Sequence, residues 1–173
     1  LLDKLKGLGL SEDQSVDALR YYLSREIPTF EDGDFTWEKF VESYNANLAN
    51  GIGNLTSRIL KMAVNANVSV SIDQNHDQFV NSLLDELKID KAADVLWQRM
   101  SKLDEYIQQH EPFKVIKNEP DKARKDIAYL LGELYGIAVF LQPFLPSTAE
   151  RIISAIKNIS ADNIPRLFPR IEQ

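Results

Sequence analysis

Asn47, Gly51, Asn54 and Arg58 stand at i, i+4, i+7 and i+11. At ~100° per residue, such positions line one narrow face of an α-helix. Amide and guanidinium groups on that face can hydrogen-bond the edges of unstacked bases, which is how single-stranded RNA loops are usually read. The surroundings are unusual for a packing helix. Asn45, Asn47, Asn50 and Asn54 share one segment with Gly51 and Gly53. Asparagine amides compete with the backbone for hydrogen bonds, and each glycine costs ~1 kcal/mol against alanine inside a helix. The same pattern also fits solvated positions, with the glycines admitting a close neighbour. On spacing alone that plainer reading is slightly ahead.

A second candidate is Pro112-Phe113. A ring just after a helix-ending proline sits at a helix terminus. It can plug the core, the commoner role for Phe, or form a platform on which a base stacks, worth ~1–3 kcal/mol per base. Lys114 and Lys117 stand beside it. They can meet phosphates, and they can equally be ordinary solvated lysines.

The elements that must position these residues are helical. Val16, Leu19, Tyr22 and Leu23 suggest an inward face, and Pro28 ends that helix. The stretch from Thr29 to Phe35 carries turn residues, and Thr36 is a good N-cap. A long helix is expected from about 36 to 64. Its apolar stripe is Trp37, Val41, Tyr44, Leu48, Ile52, Leu55, Ile59 and Met62, a three-and-four alternation. It stops in the polar stretch Asn65–Ser71. Helices near 77–88 (Phe79, Leu83, Leu84, Leu87) and 90–109 (Ala93, Leu96, Met100, Leu103, Ile107) follow, the second ended by Pro112. Asp121 is expected to cap the next, with Ile127, Leu130, Leu134, Ile137 and Leu141 inward. Ser147-x-x-Glu150 reads as a capping box, opening a last helix to about Asn158. With no convincing strand pair, the sum is an all-α, antiparallel bundle of five to six helices. One domain spans 1–173, and its tail, 159–173, is extended.

Composition narrows the functions. The chain has 173 residues and no cysteine, which removes disulfides, thiolate nucleophiles and cysteine-based zinc sites. Its net charge of −6, from 20 basic and 26 acidic residues, excludes a broadly basic nucleic-acid binder. Any RNA must be held at a local site, by shape and stacking. No run approaches the ~20 apolar residues of a membrane span. The start, Leu1-Leu2-Asp3-Lys4, does not read as a signal peptide, and the absent initial Met suggests a piece of something longer. His76 and His110 have no metal-ligand spacing and read as surface residues. Asp32 and Asp34 sit in a turn-rich loop and read as caps. Gly132-x-x-x-Gly136 reads as a close-packing contact. No catalytic constellation is found.

Four stretches carry a family resemblance. Asp17-Ala18-Leu19-Arg20-Tyr21-Tyr22-Leu23 resembles the helix after the Lys-Met-Ser-Lys-Ser loop of class I aminoacyl-tRNA synthetases. Arg25-Glu26-Ile27-Pro28, with Glu31-Asp32-Gly33-Asp34-Phe35, is similar to methionyl-tRNA synthetases in particular. So is Tyr44-Asn45-Ala46-Asn47-Leu48-Ala49-Asn50 running into Gly53-Asn54-Leu55-x-x-Arg58. Leu167-Phe168-Pro169-Arg170-Ile171-Glu172 resembles the end of that family's helical domain. The first motif is shared with the leucine, isoleucine and valine enzymes; the combination is far more specific.

The resemblance implies a helix bundle that binds the CAU anticodon. It implies base contacts for Asn54 and Arg58. Asn47, Asn50 and Lys114, from their places beside these residues and Phe113, are candidate secondary RNA contacts. The family's Pro-Trp stacking pair corresponds to Pro112-Phe113 here, a departure that keeps a π-face but loses area and the indole N–H. Asp104 stands where the family usually has Asn, and a carboxylate there is expected to repel RNA phosphate. The family's His-x-Gly-His and Lys-Met-Ser-Lys-Ser motifs and its zinc-bearing insertion are absent from this sequence. ATP and magnesium therefore belong to a catalytic domain elsewhere in the parent enzyme, and no cofactor or metal is expected here. The expected partners are a tRNA anticodon loop and the parent's own catalytic domain, in the cytoplasm. Two alternatives stay open: the matching domain of a valine, isoleucine or leucine enzyme, and a helical protein-interaction module without RNA binding.

Overall fold

Residues 1–27, 33–70 and 78–172 are described in a computed structural model of the chain. Their order is α1 (Leu2–Gly7), α2 (Glu12–Tyr21), α3 (Trp37–Ser43), α4 (Asn54–Ala66), α5 (Gln78–Asp85), α6 (Ile89–His110), α7 (Pro112–Val115), α8 (Pro120–Leu141) and α9 (Pro146–Lys157). Wider π-helical turns prolong α2 over Tyr22–Glu26 and join α3 to α4 over Tyr44–Gly53. The all-α expectation holds, and no strand occurs among the described residues. Helix α8 is the central element, packed on α4, α6 and α9.

The apolar stripe of the long helix lies where its spacing puts it. Val41, Tyr44, Leu48, Ile52, Leu55 and Ile59 are all buried, each worth ~1.5–3 kcal/mol for a full-sized aliphatic side chain. Thr36 caps the start, accepting from the Lys39 N–H at 3.2 Å. Asn67 ends α4 in a left-handed conformation, φ 51°.

The first face is rotated from the expected one. Val16 and Leu23 point to solvent, while Ser15, Asp17, Ala18, Tyr21 and Tyr22 are buried. Hydropathy misleads here because the two polar residues have partners. Ser15 Oγ donates to the Ser11 carbonyl at 2.8 Å, and Asp17 Oδ2 accepts from the Thr148 N–H at 2.7 Å. Burial raises the Asp17 pKa, opposed by the hydrogen bonds from Thr148 and Ser147 and by Arg20.

That contact corrects the start of α9. Pro146 occupies its first position and no side-chain cap forms locally, so Ser147 and Glu150 make no capping box. Asp17 supplies the acceptor from α2 instead. Asp121 is not a cap either. Pro120 opens α8, and Asp121 lies one position further in, exposed and 3.6 Å from Arg124. The capping box that does form is Ser11 with Gln14, at the start of α2. The short helices α1 and α7 leave too little periodicity to be read. Pro28, Thr29–Asp32, Ser71, His76 and the Phe79 side chain lie outside the described residues.

The stretch 159–173 is extended over most of its described part, with one 3₁₀ turn at Ala161–Asn163. It is tied down. The Gln14 amide donates to the Leu167 carbonyl at 2.6 Å, and Tyr44 Oη donates to Pro169 O at 2.7 Å. Asn45 exchanges two hydrogen bonds with the backbone of Ile171, at 2.9 and 3.0 Å. One of the four clustered asparagines is therefore a structural clamp.

Candidate nucleic-acid interface

The Asn/Gly stretch builds a bend. Ten residues, Tyr44–Gly53, run as π-helix, whose i→i+5 bonds put more residues in each turn than an α-helix does. Gly51 departs from helical geometry at φ −78°, ψ −108°. A Cβ on Gly53 would lie 2.9 Å from the Leu48 carbonyl oxygen, closer than real side chains approach. The two glycines thus serve the backbone path itself rather than a neighbouring helix.

The bend divides the expected stripe. Asn47 is half-buried, donates to Ser43 Oγ at 3.4 Å, and lines a hollow with Glu26, Asp34 and Glu42. It is not brought together with Asn54 and Arg58, because the wide turns rotate its position away from the face computed at 100° per residue. Asn50, by contrast, is exposed and shares an open groove with Asn54. The groove holds about 500 Å³ between α4 and the tail, and Ser57, Lys61 and Arg166 also line it.

Asn54 is the first residue of α4. It is exposed, and its side chain makes no hydrogen bond among the described residues. Arg58 follows one turn later. Its Nη1 donates to Asp104 Oδ1 on α6 at 2.5 Å, with both side chains about one-third exposed (36% and 32%). Burial raises the Asp104 pKa, and Arg58 opposes the rise. Sequence reading places Asp104 as a repeller of phosphate; the structure places it as the partner of Arg58. The carboxylate takes one of five guanidinium N–H groups, which leaves an oriented fork beside the free Asn54 amide.

Phe113 is reached along α6. Six residues, ~9 Å of helix rise, separate Asp104 from His110 at its end. Glu111 then turns the chain in a left-handed conformation, φ 42°, and Pro112 opens α7. Pro112 is buried, whereas Phe113 is 47% exposed and packs on no other ring among the described residues. Of its two sequence readings, the core plug is excluded. Lys114 Nζ lies 5.7 Å from the ring centroid and pairs with Glu111 at 2.5 Å, so its charge is shared rather than free.

An adjoining aromatic group was not legible from the sequence. The Tyr106 and His110 rings stack at 3.9 Å, and Tyr106 Oη donates to Asp126 Oδ1 at 2.8 Å. Burial and the Asp126 carboxylate push the Tyr106 pKa up to about 12. His110 remains partly exposed. The spacing of Tyr106 and His110, one helical turn apart, was the available signal. Among the described residues no cluster could hold a metal ion, and no helix is long and apolar enough to cross a membrane.

Known proteins match this chain in two consecutive regions. Residues 6–60 match the family model described as tRNA synthetases class I (M), and residues 62–168 match the anticodon binding domain of methionyl tRNA ligase. The chain is 34% identical over 172 residues to the methionine–tRNA ligase of Clostridium acetobutylicum, covering 88% of this chain and 26% of that protein. It is 35% identical over 162 residues to the Listeria monocytogenes enzyme, covering 83% and 24%. The chain thus spans about a quarter of the length of these relatives. The free-state crystal structure of Mycobacterium tuberculosis methionyl-tRNA synthetase shares the fold, with a TM-score of 0.76 at 24% identity over 95% of this chain and 41% of that one. With more than half of its length matched by the second model, the chain belongs to the methionyl-tRNA ligase family and carries that family's anticodon-binding domain.

Proposed function

We propose that this chain reads the CAU anticodon for a methionine–tRNA ligase. The rest of that enzyme activates methionine with ATP and magnesium and transfers it to tRNA in the cytoplasm. The observation that carries this reading is the pairing on α4 of a free amide, Asn54, with an oriented guanidinium, Arg58, at the end of the class I synthetase (M) match and directly before the match to the anticodon-binding domain. Loop bases splay out, one stacks on the exposed face of Phe113, and Asn54 and Arg58 hydrogen-bond base edges. A wrong base leaves those polar groups unpaired, and that penalty supplies the discrimination.

The remainder of the same polypeptide is the second partner in this reading. Of nine exposed large apolar side chains among the described residues, six lie in the first 35 positions: Leu1, Leu2, Leu8, Val16, Leu23 and Phe35. Leu8, Val16, Leu23 and Phe35 fall in the region matching the class I synthetase model, and this apolar surface suits burial against the enzyme's catalytic domain. An apolar hollow lined by Leu23, Leu84 and Phe144 also exists, but it lies apart from the Asn54–Arg58 face and gives the interaction-module alternative no support there. The valine, isoleucine and leucine alternatives have no feature in their favour.

The test is binding of an anticodon stem-loop carrying CAU, compared with one whose first anticodon base is changed. Tighter binding of CAU is expected, with the preference lost in Arg58→Ala. Equal affinities for the two loops would sink this reading.

A further inference from the structure

The groove beside Asn54 carries chemistry that reading one base does not use. We infer that it is a second nucleotide subsite for single-stranded RNA. It takes the nucleotide adjoining the base read by Asn54 and Arg58, with phosphate on Lys61 and Arg166 and a base edge on Asn50. The inference rests on the anticodon reading and extends it.

Helix geometry orders the parts. With Asn54 as zero, Ser57 and Lys61 fall at about −60° and −20°, and Arg58 at about +40°, at ~100° per residue. Asn54 therefore stands between the Arg58–Asp104 pair and the groove. A strand that stacks on Phe113 and passes Arg58 and Asn54 enters the groove next.

Charge identifies what the groove accepts. The chain has a net charge of −6, yet no carboxylate lines this groove. Lys61 and Arg166 are exposed and have no acidic partner among the described residues. Several other basic side chains are committed: Lys6 to Glu12, Arg25 to Asp94, Arg58 to Asp104, Lys88 to Glu86, Lys114 to Glu111. Two free cations with free amides between them fit a phosphodiester and a base edge. The groove offers no ring for stacking, since Phe168 is buried edge-on against Tyr44 at 5.8 Å. Its occupant is held by backbone charge and edge contacts, unlike the base at Phe113.

The wall bearing Arg166 is fixed. Flanking backbone carbonyls accept from other elements: Arg166 O from Arg151 at 3.2 Å and Leu167 O from Gln14 at 2.6 Å. The cation is thus presented from an anchored backbone.

The experiment measures affinity of the chain for the CAU stem-loop across salt concentrations. Each phosphate neutralised on a single strand contributes a slope of about −0.7 in log affinity against log salt. In Lys61→Ala/Arg166→Ala, which removes both contacts to that one phosphate, the slope should become shallower by about 0.7, so the loss of affinity between 50 and 200 mM salt shrinks about 2.6-fold. Preference for CAU should persist, and Lys61→Arg/Arg166→Lys should keep the original slope. Both side chains are exposed, and circular dichroism checks that each variant folds. An unchanged slope in the alanine pair, with CAU preference still lost in Arg58→Ala, overturns the groove and leaves the anticodon reading standing. A shallower slope with no CAU preference keeps the groove as an RNA site and overturns that reading. No binding of either loop overturns both.

Discussion

The Arg58 guanidinium on α4 donates from Nη1 to the Asp104 carboxylate on α6 at 2.5 Å. A surface arginine has several rotatable bonds, and fixing it at binding costs conformational entropy. Asp104 fixes it beforehand while adding a negative charge near the RNA. Asp104→Ala should therefore raise affinity for any loop and reduce discrimination between CAU and a changed first base, by about 1 kcal/mol or roughly fivefold. Binding titrations with both loops check this. Unchanged discrimination would show that Asp104 has no positioning role.

The same carboxyl should impose a pH dependence. Its pKa is raised above the ordinary 3.8, chiefly by burial and against the pull of Arg58. A raised folded-state value favours the protonated form, so its stability contribution is fully present below the unfolded pKa and is lost as pH rises through the folded value. Falling pH through that window also neutralises the charge facing RNA, so loop affinity should rise. Asp104→Asn should show a flatter profile in both unfolding and binding, and parallel wild-type and Asp104→Asn profiles would contradict the assignment.

Phe113 offers a half-exposed ring on a short helix anchored by the buried Pro112. Phe113→Ala should weaken stem-loop binding by ~1–3 kcal/mol with little effect on melting temperature. Phe113→Trp enlarges the π-face and should bind at least as tightly as wild type. Equal affinity of the alanine variant and wild type would remove the stacking role.

Gly53 is fixed by the backbone rather than by RNA. Gly53→Ala places a Cβ 2.9 Å from the Leu48 carbonyl oxygen, and relieving that clash should cost ~1–3 kcal/mol of stability. Because Asn54 is the next residue, CAU preference should fall as well. Thermal unfolding and loop binding measured on one preparation test the coupling, and a variant as stable as wild type would show that the π-helical turn is not required.

The helices were legible where apolar residues alone decide the face. The stripe from Val41 to Ile59 holds through an unexpected change of helix type, since burial tolerates a wider turn. Legibility failed where polar groups decide. Asp17 and Ser15 are buried with hydrogen-bond partners, the distant Thr148 N–H and the local Ser11 carbonyl, that hydropathy does not show. Asp104 reads as repulsive until α6 is laid against α4. Lys61 and Arg166, 105 positions apart, share a groove only because the tail folds back. Asn47 fits a face drawn at a uniform 100° per residue, but Gly51 and Gly53 break that uniformity.

The tail's anchoring has a consequence for synthesis. Gln14 and Leu167 meet across 153 positions of sequence, and contacts of such separation close slowly. Domains emerge N-terminus first, so α4 can bury its apolar stripe while the stretch from Ala161 to Phe168 does not yet exist. A nascent chain at that point carries Asn54 and Arg58 but has only one wall of the groove. The second wall, and with it the RNA subsite inferred above, therefore forms only after translation has passed Phe168 and the tail has docked.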